Sequence, residues 1–205
     1  MARRIGILGG SFDPVHLGHL AMAREAVRRL SLDRLWFVPA KISPLKPHMM
    51  RVSDEDRLNM VRLAIRGEAR MGVSDRELRS GGVSYTVDTL RRWKADCPDD
   101  ELVFVAGMDS LLTLWRWKSP LELLSLCRFA TFRRPGSAVT PRAEDLNLPL
   151  HRARMLIADI VDAPMLDISS SQVRELVAGG FDVRRFLPEA VARYVEVRGL
   201  YREGE

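Results

Sequence analysis

Short apolar runs alternate along this chain with longer stretches in which apolar positions recur at helical spacing. The runs at residues 5–8, 35–38, 71–73, 102–106, 129–132 and 165–168 are predicted as strands. Each is too short for a helix and is bounded by polar or turn-forming residues, as expected of strands buried on both faces of a parallel sheet. Helical patterns fill the gaps. The first covers 20–30. Ser53 can cap the second, with Asp54, Glu55 and Asp56 in its first turn and Leu58, Val61, Leu63 and Ile65 along it. Residues 86–95 and 110–114 continue the alternation, which predicts a parallel α/β sheet.

The tail reads differently. Ser169, Ser170 and Ser171 precede Val173, Leu176 and Val177, and Gly179-Gly180 closes that helix. Pro188 at an N1 position opens another through Val197, stopped by Gly199. The pattern therefore predicts one domain over 1–205, with a sheet core to about residue 165 and a helical C-terminal part from about residue 166 packed on the sheet. The segments 40–52 and 135–149, rich in Pro and polar residues, are the expected mobile loops.

Composition narrows the classes. With 205 residues and 46% hydrophobic content the chain can bury a sizeable core, and no run of 18 uncharged apolar residues suggests a membrane span. Cys97 and Cys127 lack metal-type spacing and suit a reducing compartment, so the chain is expected to be soluble and cytoplasmic. The net charge of +5 is spread along the sequence, and only four of its 32 basic residues are Lys. Without a basic block interleaved with aromatics, small anionic substrates are expected as partners rather than a nucleic acid or a membrane.

The chemistry begins where the first run ends. Gly9 and Gly10 are followed by Ser11-Phe12-Asp13-Pro14-Val15-His16-Leu17-Gly18-His19, which leads into the first helix. Paired glycines at a strand end let backbone N–H groups approach a ligand without Cβ interference, and the next helix points its partial positive end at the same place. That order predicts a phosphate site. His16 and His19, three residues apart, share one face of the first turn, and Gly18 between them leaves room for bulky oxygens. Two such imidazoles could also chelate a metal, but the only other histidines, His48 and His151, have no partner motif. Neither Gly-x-x-x-x-Gly-Lys-Ser/Thr nor Gly-x-Gly-x-x-Gly describes the stretch.

What the stretch resembles is the His-x-Gly-His signature of the nucleotidyltransferase superfamily, in the form typical of bacterial nicotinate-nucleotide adenylyltransferases. Further motifs follow in that family's order. Ser84-Tyr85-Thr86-Val87-Asp88-Thr89-Leu90 resembles Ser-Tyr-Thr-x-Asp-Thr-Leu, although by itself it is also a capped helix start. Gly107-Met108-Asp109-Ser110 resembles Gly-Ala-Asp-Ser, with Met for Ala. Arg133-Arg134-Pro135-Gly136 resembles an Arg-Pro-Gly turn, and Ile168-Ser169-Ser170-Ser171-Gln172-Val173-Arg174 an Ile-Ser-Ser-Thr-x-x-Arg motif with Ser171 replacing Thr.

The resemblance implies a Rossmann-like, doubly wound, mainly parallel α/β sheet with a C-terminal helical extension. It also implies joining of ATP and nicotinate mononucleotide into deamido-NAD, with release of pyrophosphate. Carried over residue by residue, Gly9, Gly10, Ser11, Phe12, Gly18, Gly107, Asp109, Ile168, Ser169, Ser170 and Ser171 would line the ATP site. Ser11, Lys46, Tyr85, Thr86, Trp117 and Arg134 would line the mononucleotide site, and His16, His19, Lys46 and Arg174 would neutralise charge during transfer. Lys46 stands in an altered Pro-His-Lys context, and Trp117, which cannot share a helix face with Trp115, is the expected stacking partner of the pyridine ring. Mg²⁺ is expected with ATP, held mainly by its phosphates and water rather than by a protein metal site. Two other readings remain open here: a sibling transferase acting on nicotinamide mononucleotide or phosphopantetheine, and a nucleotide- or nucleic-acid-binding protein without activity. The Ser-Tyr-Thr segment speaks against phosphopantetheine.

Overall fold

Hydrophobic side chains on both faces of each central strand give this chain two cores. Among the described residues, six strands form one sheet: β1 (Arg4–Gly10), β2 (Arg34–Pro39), β3 (Met71–Val73), β4 (Glu101–Gly107), β5 (Arg128–Arg133) and β6 (Ile160–Asp162), in the order β3-β2-β1-β4-β5-β6. Every neighbouring pair is parallel. A computed structural model describes residues 2–44, 50–133, 140–163 and 166–202.

Alternation along the strands assigns the faces. Ile5, Ile7, Leu102, Phe104, Ala106 and Phe129 turn to one side, where they pack with Val87, Leu90, Leu111, Leu123 and Leu156. Those residues come from α4 (Thr86–Asp96), α5 (Met108–Thr113), α6 (Pro120–Leu126) and α7 (Leu150–Ala158). Leu8, Val103, Val105, Ala130 and Phe132 face the other way. There they meet α1 (Leu17–Arg29), α2 (Asp54–Ala64), α8 (Ser170–Ala178) and α9 (Glu189–Val197) through Ala23, Val27, Met60, Val61, Val173, Val191 and Val195. The tail helices thus complete one of the two layers that cover the sheet. A short helix, α3 (Arg76–Ser80), follows β3.

The strand order fixes where a ligand can sit. The chain winds outward from β1 through β2 to β3, then resumes on β1's other side at β4, which makes β1/β4 the switch point of the sheet. In open parallel sheets the crevice at the carboxyl ends of such strands is the ligand site; here Gly10 and Gly107 stand at those ends.

Several expectations differ from the structure. The last strand is Ile160–Asp162 rather than 165–168: Ile168 is buried in the core just before α8, and Met165 lies outside the described residues. An edge strand of three residues carries too few side chains to announce itself, whereas the buried Ile168 imitates one. On α2 the buried face is Asp56, Arg57, Met60, Val61 and Ala64; Leu58, Leu63 and Ile65 are only partly covered. Within the expected loop 135–149, Ala143–Leu146 form a 3-10 turn that buries Leu146 completely. Helices α3, α6 and α7 were not foreseen, and Pro188 stands at the N-cap of α9, one position before N1.

Candidate active site

The turn between β1 and α1 is built around a ring. Phe12 adopts φ +48 and is fully buried, a left-handed backbone uncommon for a bulky residue. Its side chain packs on Phe37 at 5.4 Å and meets His19 edge-on at 5.1 Å between centroids. A Cβ at Gly10 would lie 3.1 Å from this ring, tighter than an ordinary contact, so Gly10 also lets Phe12 pack closely. Gly18 has a similar second role: its missing Cβ would stand 3.0 Å from His16 Nδ1 and 3.3 Å from the Leu166 carbonyl oxygen.

His16 is the N-cap of α1 and His19 its third residue; their rings stack at 3.6 Å with an angle of 26°. The His16 backbone N–H donates to His19 Nδ1 at 3.2 Å. In the neutral ring that acceptor assigns the proton to Nε2, making Nε2 the donor His19 can offer a ligand. His16 is buried and His19 half-buried.

Arg174 is brought from α8 onto the same turn, although 161 residues separate it from Asp13. Its Nη1 donates to the Asp13 carbonyl oxygen at 2.7 Å and its Nη2 to Ser171 Oγ at 3.1 Å. The three serines before it have three different tasks. Ser169 Oγ caps α8 by accepting from the Gln172 N–H at 3.2 Å, Ser170 Oγ donates to the Pro14 carbonyl at 2.9 Å, and Ser171 orients Arg174. Ile168 is buried beneath them. The motif therefore does serve as a helix cap, and it also fastens α8 to the turn that carries the histidines.

Around the crevice lie the remaining expected residues. Gly107 is the N-cap of α5, and Asp109 stands exposed in that helix's first turn. Gly9 faces Phe104, whose ring Trp117 meets edge-on at 5.7 Å. Trp117 also meets Phe129 at 6.1 Å, and its indole Nε1 is buried with no hydrogen-bond partner among the described residues; Trp115 is exposed. Tyr85 caps α4 with extended backbone and no side-chain bond, which leaves the helix end at Thr86 to other acceptors. Ser84 pins this segment to the loop after β2, accepting from the Lys41 N–H at 2.8 Å and donating its own N–H to Ile42 at 2.9 Å. Lys46 and Arg134 lie outside the described residues. Among the described residues, no group of three or more His, Cys, Asp or Glu side chains comes together to hold a metal ion.

Several contributors escaped the sequence reading. Arg57 is fully buried beneath the turn, donating to the Ser11 carbonyl at 2.8 Å and to Asp54 Oδ1 at 2.5 Å; Lys41 pairs with the other Asp54 oxygen. Its only sequence signal was its place one turn before Met60 and Val61, on the face that proves to be buried. Asp13, read only as part of the motif, is 1% exposed. Its Oδ2 accepts from the Arg51 N–H at 2.8 Å and its Oδ1 from the Tyr201 hydroxyl at 2.7 Å.

Behind the Ser84–Thr86 segment, Glu77 accepts from Thr89 Oγ1 at 2.5 Å. Burial raises its carboxyl above the usual glutamate range, against the opposing pull of the Thr89 and Ser84 hydroxyls and the Arg92 charge. A folded value above the unfolded one means that stability present below the ordinary glutamate value, about 4.3, is lost as pH rises through the folded value. Glu77→Gln cannot ionise. Its melting temperature relative to the parent chain is expected to climb as pH rises from the ordinary glutamate range through the raised range in which the parent's Glu77 ionises, and a difference that does not change with pH would contradict the buried charge.

Comparison with known proteins converges on one family. Residues 7–176 match the family model described as cytidylyltransferase-like. A probable nicotinate-nucleotide adenylyltransferase of Geobacter sp. (strain M21) is 41% identical over 97% of this chain and 98% of its own. Its counterpart in Opitutus terrae (strain DSM 11246 / JCM 15787 / PB90-1) is 41% identical over 98% of this chain and 100% of its own. The solved Plasmodium falciparum nicotinic acid mononucleotide adenylyltransferase complexed with APC shares the fold with a TM-score of 0.76 at 19% identity, over 97% of both chains. The same protein complexed with NaAD gives a TM-score of 0.75 at 20% identity, again over 97% of both. By the family model and by full-length relatives at this identity, the chain belongs to the cytidylyltransferase-like family and, within it, to the nicotinate-nucleotide adenylyltransferases.

Proposed function

We propose that the crevice at the β1/β4 switch point transfers the adenylyl group of MgATP to nicotinate mononucleotide, giving deamido-NAD and pyrophosphate in NAD biosynthesis. The observation that carries this reading is the meeting of the His16/His19 pair with Arg174 on one turn, from opposite ends of the chain. The names of the full-length relatives support the choice of substrate.

An oxygen of the mononucleotide phosphate attacks the α-phosphorus of ATP; the bond from that phosphorus to the bridging oxygen breaks, and pyrophosphate departs with the electron pair. A phosphate monoester with a second pKa of about 6 is largely ionised at neutral pH, so the attacking oxygen needs no general base. Catalysis then rests on bringing two anions into line and neutralising charge as it moves to the leaving group. His19 Nε2 is the donor assigned to the α-phosphate. His16, Arg174 and, from the sequence resemblance, Lys46 share the outer phosphates, with the α8 serines fixing Arg174. Mg²⁺ bound with ATP would be held mainly by the phosphates and water and would supply further charge neutralisation there. Asp109 accepts from the ATP ribose at the mouth of β4.

The mononucleotide is given the side of the crevice formed by Ser11, Tyr85, Thr86 and Trp117, with Arg134 assigned to it from the sequence resemblance alone. Its carboxylate faces the amides at the start of α4, which favour an anion over a neutral amide, and Trp117 lies against the pyridine ring. Steady-state comparison of nicotinate and nicotinamide mononucleotides, following pyrophosphate release, is expected to favour the acid by at least ~10-fold in kcat/KM, about the 1.4 kcal/mol that a charge at a partly buried helix end contributes. Equal efficiencies refute this specificity; retention on nucleic acid without ATP turnover refutes the reading as a whole.

A further inference from the structure

The far end of the chain reaches the phosphate turn. After α9 the backbone reverses through Gly199 at φ +61, with the Leu200 N–H donating to the Val195 carbonyl at 3.0 Å and the Gly199 N–H to Glu196 at 3.2 Å. This is the Schellman pattern, and Leu200 and Val195 supply its apolar contact in the core. The next residue, Tyr201, is held at φ +64. A left-handed backbone is costly for a tyrosine and persists where surrounding contacts over-determine it. The contact it makes is the 2.7 Å hydrogen bond from its hydroxyl to Asp13 Oδ1, across 188 residues.

We propose that Tyr201 is a positioning residue for the phosphate turn: its hydroxyl latches the C-terminal segment to the buried Asp13 and thereby holds Phe12, His16 and His19 in register. Asp13 is gripped from three directions, by Tyr201 at Oδ1, by the Arg51 N–H at Oδ2 and by Arg174 at its carbonyl. It lies between Phe12, the ring under His19, and Pro14, whose carbonyl takes the Ser170 hydroxyl. Burial and the adjacent Asp13 charge hold the Tyr201 hydroxyl well above the usual phenol range, so it remains a donor at neutral pH. Loss of that donor leaves a buried carboxylate short of a partner and frees the turn to shift. Misplacement of that kind penalises the chemical step more than ground-state binding.

The same tail offers an internal control. Tyr194 donates to Asp56 Oδ1 at 2.9 Å, an equivalent tyrosine-to-carboxylate bond that ends on α2 and not on the phosphate turn. Tyr201→Phe and Tyr194→Phe, each in the full chain, are compared in three measurements: melting temperature, steady-state pyrophosphate release with ATP and nicotinate mononucleotide, and backbone deuterium exchange over residues 9–19 without substrate. Both variants are expected to melt somewhat lower. Only Tyr201→Phe is expected to lower kcat, by about 10-fold with KM nearly unchanged, and only Tyr201→Phe to speed exchange over 9–19. A wild-type kcat in Tyr201→Phe, an equal loss in Tyr194→Phe, or unaltered exchange over 9–19 overturns the latch. The kinetic arm rests on the adenylyl-transfer reading and the exchange arm does not. A parent chain that releases no pyrophosphate therefore refutes that reading while exchange still decides the latch.

Discussion

His19→Ala is expected to lower kcat by ~10²-fold or more, the usual cost of losing one preorganised donor to a transition-state anion. The geometry gives the reason. His19 is held by the His16 N–H at its Nδ1, by stacking on the His16 ring and by edge-on contact with the buried Phe12 ring. These constraints are in place before any substrate arrives, so Nε2 meets developing charge without reorganisation. Because the imidazole is half-buried and its bond from the His16 N–H is a neutral one worth only about 1 kcal/mol, stability is expected to suffer much less than rate. Parallel measurement of kcat and melting temperature separates the two effects. An unchanged kcat removes His19 from the mechanism, and a fall in melting temperature large enough to explain the lost activity assigns it to the fold instead.

Arg57→Ala is expected to produce the largest loss of stability. Arg57 has no exposed side-chain surface and supplies two hydrogen bonds, one to the Ser11 carbonyl and one to Asp54, which also pairs with Lys41. Asp54, which is partly exposed, keeps Lys41, whereas truncating Arg57 empties a fully buried site and leaves the Ser11 carbonyl without its donor, a loss of about 3–5 kcal/mol. In a chain of this size that corresponds to a melting temperature lower by roughly 10 °C. Arg57→Lys keeps the charge and loses the planar fork that serves two acceptors at once, so it is expected to recover only part of the loss. A melting temperature within about 2 °C of the parent for Arg57→Ala, well below the change set by that cost, would show that Asp54 and Ser11 do not depend on Arg57. Since Ser11 belongs to the phosphate turn, the same variant is also expected to bind ATP less well.

Both predictions concern one turn, yet only one of the two residues was legible. His19 declared itself through spacing, with glycines upstream and a histidine three residues before. Arg57 sits in a stretch that reads as an ordinary capped helix, and three of the apolar residues along it, Leu58, Leu63 and Ile65, are only partly covered. The rotation of α2 follows from what lies beneath it: a buried arginine must point where its donors find acceptors, here the Asp54 carboxylate one turn back and a backbone carbonyl 46 residues away. The serines of α8 show a mixture. Ser169 as a cap was readable from its position, while Ser170 on Pro14 and Ser171 on Arg174 depend on the docking of α8 against β1.

The sequence by itself determined whatever is encoded over a few residues. Strand cores, the capped start of α2, the glycines and histidines of the phosphate turn and the order of the motifs are set by local spacing and local backbone preference. Tertiary structure alone decided where charges are buried and what satisfies them. Asp13 receives Tyr201 and Arg57 receives Ser11 because desolvated charges require partners, and the sheet brings those partners from anywhere along the chain. It also decided that the last strand is Ile160–Asp162, since an edge strand of three residues is chosen by the neighbour it pairs with, here β5, more than by its own side chains.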